Sequence, residues 1–121
     1  MKSWIIIGSI LAALAVILGA FGAHGLKARL SPEDLAIFET GVRYHIIHAL
    51  GIIIIGVLGY HEPSEILKVP VIFFTIGIFL FSGSLYILIL SGSRWLGAIT
   101  PLGGIGFIAG WLLLAYNLFK S

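Results

Sequence analysis

Three stretches of this chain, Trp4 to Phe21, Pro70 to Leu90 and Leu96 to Phe119, contain no charged residue, and a fourth, Ile46 to Tyr60, is interrupted only by His48. The hydrocarbon core of a bilayer, about 30 Å thick, is crossed by roughly 20 apolar residues of helix. A chain of 121 residues has no interior large enough to hide four such runs from water. Lipid is therefore the solvent for most of this polypeptide. In lipid every backbone amide and carbonyl must bond within the protein, which leaves helices or a closed barrel. Long apolar runs without alternation select helices. The expectation is an all-α membrane protein with four transmembrane helices, spanning about 4–23, 42–60, 70–90 and 96–119, as a single integral domain.

Composition agrees. Hydrophobic residues make up 60% of the chain and charged residues 10%, against roughly half and a quarter in soluble domains. Seven Lys and Arg against five Asp and Glu give a net charge of +2, too small and too scattered for nucleic-acid binding. No cysteine is present, which excludes disulfides and thiolate chemistry. The first run follows Lys2, and Ala20-Phe21-Gly22 offers small residues at cleavage positions. Its uncharged length exceeds a secretory h-region of about 7–15 residues, so a retained first span is expected over a signal peptide.

The second run reaches full length only by extending upstream to about Val42, which places Arg43, Tyr44 and His45 at the membrane boundary and His48 inside it. Upstream again, Ser31-Pro32-Glu33-Asp34 reads as a helix start: a capping serine, proline in the first position and two acids at the positive end of the dipole. Leu35, Ala36, Phe38 and Val42 follow near helical spacing, so an interfacial amphipathic helix is expected between spans one and two. Span one is expected to close in the glycines of Gly19 to Gly25 by a left-handed residue. Thr100-Pro101 marks either the start of helix four or a kink in it. Basic residues divide as Lys2, Lys68 and Lys120 on one side and Lys27, Arg29, Arg43 and Arg94 on the other, a weak lean toward termini outside the cytoplasm.

Two helices carry small residues at packing spacing. Gly8, Ala12, Ala15, Gly19 and Gly22 form one stripe on helix one, and Gly103, Gly106 and Gly110 form another on helix four, where Gly106-x-x-x-Gly110 serves either the bundle or a dimer. Helix two gathers Gly41, Tyr44, His45, His48, Ile52, Gly56 and Gly59 on one broad face. Glu39 and Arg43 lie opposite, at ion-pair spacing. Thr75, Ser82 and Tyr86 of helix three are placed to hydrogen-bond the polar face. Ionisable groups at membrane depth are costly and draw attention to function. His45 and His48 hold a metal only with a third ligand, and the sequence does not place His24 or Glu39 for that role. No span carries an interior acid and no nucleophile–base–acid set is visible, so the sequence leans against an enzyme and implies no cofactor.

The strings Gly19-Ala20-Phe21-Gly22-Ala23-His24-Gly25-Leu26, Phe38-Glu39-Thr40-Gly41-Val42-Arg43-Tyr44-His45, Phe81-Ser82-Gly83-Ser84-Leu85-Tyr86 and Arg94 through Gly104 closely resemble the YgdD/YwdK-like family of small bacterial membrane proteins, a domain of unknown function related to eukaryotic transmembrane protein 256. The resemblance spans nearly the whole chain. It implies a four-helix protein of the bacterial cell membrane and brings no substrate, cofactor or catalytic residue. Its strings contain His24, Glu39, Arg43, Tyr44, His45, Ser82, Tyr86, Arg94 and Thr100, which with His48 make a candidate polar cluster where links one and three share a membrane side. Three roles stay open: a binding or assembly protein, alone, as a homo-oligomer or in a larger membrane complex; a small oligomeric carrier or channel for a solute, ion or proton along the His, Tyr and Ser groups; and, ranked last, a histidine-centred enzyme or metal protein.

Overall fold

The computed structural model describes residues 1–121 and is helical almost throughout, with no strand. Four helical segments, Lys2–Leu26, Pro32–Leu58, Ser64–Ser91 and Arg94–Lys120, are long and apolar enough to cross a membrane. At 25 to 28 residues each they measure about 38–42 Å, so their ends reach past a hydrocarbon core of about 30 Å. We label the helices α1 (Lys2–Phe21), α2 (Pro32–Leu58), α3 (Ser64–Ser91) and α4 (Thr100–Lys120).

The ends follow local chemistry, with differences from expectation. Ser31 caps α2, its hydroxyl accepting from the Asp34 amide at 3.1 Å, and Pro32 opens the helix. The amphipathic stretch after Pro32 is helical, but it forms the first turns of α2 and runs unbroken into the span. No proline or irregular turn interrupts it, so it prolongs the spanning helix instead of lying apart along the surface. α1 does not close on a left-handed glycine. It loosens into a π-helical turn, Gly22–Leu26, and Gly92 at the end of α3 is the one residue with positive φ. The Gly92 amide there bonds the Leu88 carbonyl at 2.8 Å. Pro101 proves to mark a start: a short 3₁₀ turn, Arg94–Ala98, leads into α4 at Thr100.

α3 holds two irregularities. Pro70 lies inside it, and a π-helical turn, Ile78–Gly83, interrupts its upper half. Proline has no N–H, so the carbonyl four residues earlier, Ile66, loses its helical partner. The Asn117 side-chain amide of α4 fills that vacancy, donating to the Ile66 oxygen at 2.9 Å.

α2 and α3 supply most of the core: Ile52, Ile55, Leu67, Val71 and Phe74 are fully buried. α1 lies against α2 and α4 against α3, each turning a side toward lipid, as at Ile10, Val16, Ile17 and Leu112. Lipid tails are as apolar as the core, so these pairs are held by close packing more than by the hydrophobic effect. Glycine permits it. A Cβ on Gly8 would stand 2.9 Å from the Ala49 carbonyl oxygen of α2, and one on Gly103 would stand 2.8 Å from the Leu80 carbonyl carbon of α3. Gly19 and Gly22 face Val42 and Phe38, Ala15 is buried, and Ala12 packs on the core's edge. Gly106 and Gly110 face Phe73 and Phe74 of the same chain, so this pair is used within the bundle.

Candidate functional site

Polarity inside the bundle is organised by α2, which meets α3 on one side and α4 on the other within about three turns. Gly41 comes first. Having no side chain, it lets Tyr86 approach, and its carbonyl accepts a 2.6 Å hydrogen bond from the fully buried Ser82 hydroxyl. One turn deeper, His45 Nδ1 lies 2.9 Å from the Tyr86 hydroxyl, and no partner meets His45 Nε2. Ser82 and Tyr86 flank the end of the π turn, whose extra residue sets the phase in which they face α2.

His48 is fully engaged. Its Nδ1 lies 2.8 Å from the Tyr44 carbonyl, which can only accept, and its Nε2 lies 3.0 Å from the Trp111 indole nitrogen, which can only donate. The proton must therefore sit on Nδ1 and the lone pair on Nε2. An imidazolium would set two N–H groups against each other at Trp111. The ring also stacks on Phe107, centroids 3.5 Å apart, and meets Phe74 edge-on. Tyr44 is part exposed, its ring against Phe81 at 4.7 Å. Sequence reasoning missed Trp111, Phe107 and Phe74 as partners of His48. An aromatic facing a buried histidine leaves no spacing signal, because the relative rotation of two helices decides the contact.

The remaining candidates do not join this group. Thr100 does not cap α4; its hydroxyl lies 2.7 Å from Ser84, which in turn donates to the Phe81 carbonyl at 2.9 Å. Arg94 reaches back to α2 and grips Asp34 with two hydrogen bonds of 3.0 Å each. Asp34 stands in the first turn of α2, upstream of the hydrocarbon boundary near Val42. The hydrogen bonds from Arg94 hold its carboxyl below the ordinary carboxylate range. Glu39 and Arg43 form no ion pair, since both project outward and an exposed pair at this spacing is worth only a few tenths of a kcal/mol. His24 is exposed on the π turn after α1. The ten residues thus divide into an interior set, two struts tying the third link to α2 and α3, and three outward-facing groups. No three His, Asp or Glu side chains converge, and His48 has no free nitrogen for a metal.

Grooves flank the interior set. One of about 320 Å³ runs between α1 and α3, with Leu14, Ile17, Phe79 and Ile87 on its walls and His45 and Tyr86 as its only polar side chains. Another of about 300 Å³ lies between α2 and α4, bordered by Tyr44, His48, Phe81 and Trp111. A hollow of about 250 Å³ near the first link is lined by Gly19, Gly22, Glu39 and Arg43. A fourth, of about 350 Å³, sits by Asn117 and Lys120. Judged by their lining residues, none runs from one membrane face to the other.

Comparison with known proteins agrees with this architecture. A family described as "Protein of unknown function (DUF423)" matches residues 18–104. The "UPF0382 membrane protein YwdK" of Bacillus subtilis (strain 168) is 48% identical over 122 residues, covering 99% of this chain and 98% of its own length. A "UPF0382 membrane protein" of Staphylococcus haemolyticus is 47% identical over 120 residues, with 99% and 98% covered, and one of Staphylococcus saprophyticus is 46% identical, with 99% of each covered. No solved structure matches. With four membrane-length helices, and relatives named as membrane proteins that align over nearly its whole length, this chain is a multi-pass integral membrane protein that belongs to the DUF423 family.

Proposed function

We propose that the protein acts in the bacterial cell membrane as a binding or assembly protein without turnover, engaging a ligand or partner through its lipid-facing sides. One observation supports this above others: the polar groups at membrane depth are used to tie helices together. Ser82 bonds Gly41, His48 is held between Tyr44 and Trp111, and Asn117 bonds Ile66. A carrier or proton path needs polar groups that are free to exchange partners along a continuous route. Here the hollows open sideways and the central imidazole has both nitrogens committed. The glycine stripes are occupied inside the chain, so self-association or entry into a larger membrane complex would use the outer sides of α1 and α4.

Purified protein in liposomes loaded with a pH-sensitive dye tests this reading. Under an imposed proton gradient or potassium diffusion potential, leakage should equal that of protein-free vesicles. Flux that depends on His48 would refute the reading and restore the carrier.

A further inference from the structure

The hollow of about 250 Å³ between the end of α1 and the entry of α2 is bordered by an acid and a base that do not meet. Glu39 and Arg43 both line it, both are exposed, and neither is paired with any other charge in the protein. The facing wall is Gly19 of α1 with Gly22 and Ala23 of the π turn, whose small size keeps the space open and lets a ligand come close to backbone. Phe38 and Val42 complete the lining.

Depth puts the two charges in order. α2 enters the membrane from its amino-terminal end, with the boundary near Val42, so Arg43 stands at the hydrocarbon edge and Glu39 one turn, about 6 Å, nearer water. Below them, at helical spacing on the same faces, Val16 follows Gly19 and Leu50 follows Arg43, both apolar and open to lipid. From oil to water this strip offers apolar surface, then a cation, then an anion. A phospholipid with an ethanolamine head presents the complementary series: acyl chains, a phosphate, and one ethylene unit farther out a primary ammonium. A phosphate capped by neutral glycerol would bring its charge near Glu39 with no cation for the carboxylate. A choline head would bring the positive charge but no N–H to donate.

We propose that this hollow binds one molecule of phosphatidylethanolamine from the surrounding bilayer, its phosphate held by Arg43 and its ammonium by Glu39. The assignment rests on the binding role above and names the class of ligand. The exposed pair that α2 could form on its own would gain only a few tenths of a kcal/mol, so both groups are available to the lipid at little cost.

Native mass spectrometry of the full chain, delipidated in detergent and given dioleoyl phosphatidylethanolamine, phosphatidylcholine or phosphatidylglycerol in turn, tests it. One phosphatidylethanolamine per chain should be held about tenfold more tightly than either other lipid, the difference expected of one charge-assisted hydrogen bond. Glu39→Gln should erase that preference by weakening phosphatidylethanolamine alone, whereas Arg43→Gln should weaken all three lipids. Exchanging the charges, Glu39→Arg with Arg43→Glu, keeps composition, inverts their order and should also lose the preference. Ala23→Trp should fill the hollow and release the lipid. All three positions are exposed, so thermal melting should show each variant folded. Equal retention of the three lipids, a preference that survives Glu39→Gln or the exchange, or undiminished retention in Ala23→Trp would each overturn the proposal. Tighter retention of phosphatidylglycerol would overturn it too, while leaving the broader binding role intact; proton flux in liposomes would remove that role itself.

Discussion

Replacing Asn117 with leucine removes the amide that serves the Ile66 carbonyl and keeps a side chain of similar size. The carbonyl is available because Pro70 has no N–H to offer it, so the two residues form one device although they are on different helices. A neutral hydrogen bond is worth about 0.5–1.5 kcal/mol net, and interhelical bonds in membranes average about 0.6 kcal/mol. A buried carbonyl left unserved costs about 1–3 kcal/mol. Ile66 stands in the first turn of α3, beside the polar hollow that Glu65 and Lys120 line, where water can relieve part of that cost. About 1 kcal/mol is the expected loss. The sharper quantity is the coupling, because Pro70→Ala restores an N–H four residues after Ile66 and lets the helix serve its own carbonyl. In that background Asn117→Leu should cost close to nothing. Unfolding of all four proteins in mixed micelles, by sodium dodecyl sulfate titration, gives the cycle directly. If Asn117→Leu costs as much with alanine at position 70 as with proline, the vacancy argument is wrong.

Gly103→Ala should destabilise by about 1–3 kcal/mol or more in the same assay, since the new Cβ meets α3 backbone that cannot swing aside. Gly104→Ala, whose nearest neighbours are Phe81 ring atoms at 3.7 and 3.8 Å, should be nearly neutral, and equal costs would contradict the packing described. His48→Leu should cost about 1–3 kcal/mol by stranding the Trp111 N–H, with part of that recovered in the double variant carrying Trp111→Phe. No recovery would mean the two rings are not hydrogen-bonded. The Arg94 grip lowers the Asp34 pKa on folding, so its stabilisation is complete above the ordinary carboxylate range and fades as pH falls through the lowered native value. Melting curves of wild type and Asp34→Asn should therefore differ near neutrality and converge in acid; a constant gap across pH would argue against that ion pair.

The four spans were legible because hydropathy over about 20 residues depends on local composition alone. Ser31-Pro32 was legible for the same reason, since cap and helix start are neighbours in the chain. Ser82 and Tyr86 were found as partners for α2 because they lie on one stripe. Thr75, on the same stripe, bonds the Val71 carbonyl of its own helix. The pairing of Asp34 with Arg94 joins residues sixty positions apart and could not be read from spacing; each looked like an independent surface charge. Glu39 and Arg43 had the right spacing and still stay apart, because helical proximity permits an exposed pair without compelling it. The Asn117 contact has a signal in the sequence: a proline inside an apolar helix leaves a carbonyl seeking a donor, and Asn117 carries the chain's one side-chain amide. The π turn of α3 carried no such mark, since tertiary partners decide whether a helix takes up one extra residue.

That turn makes α3 sensitive to length in a way its apolar sequence conceals. Each residue of a regular helix advances the azimuth by about 100°. Deleting one residue between Ile78 and Gly83 would let the turn close into regular helix with everything above it kept at its present azimuth, whereas deleting one in the regular helix below, between Val71 and Gly77, would swing everything above it by more than a quarter of a circle. In the second case Tyr86 would leave His45 and point into oil, with hydropathy almost unaltered. Where along α3 a single codon is lost thus decides whether the loss is mild or ruinous.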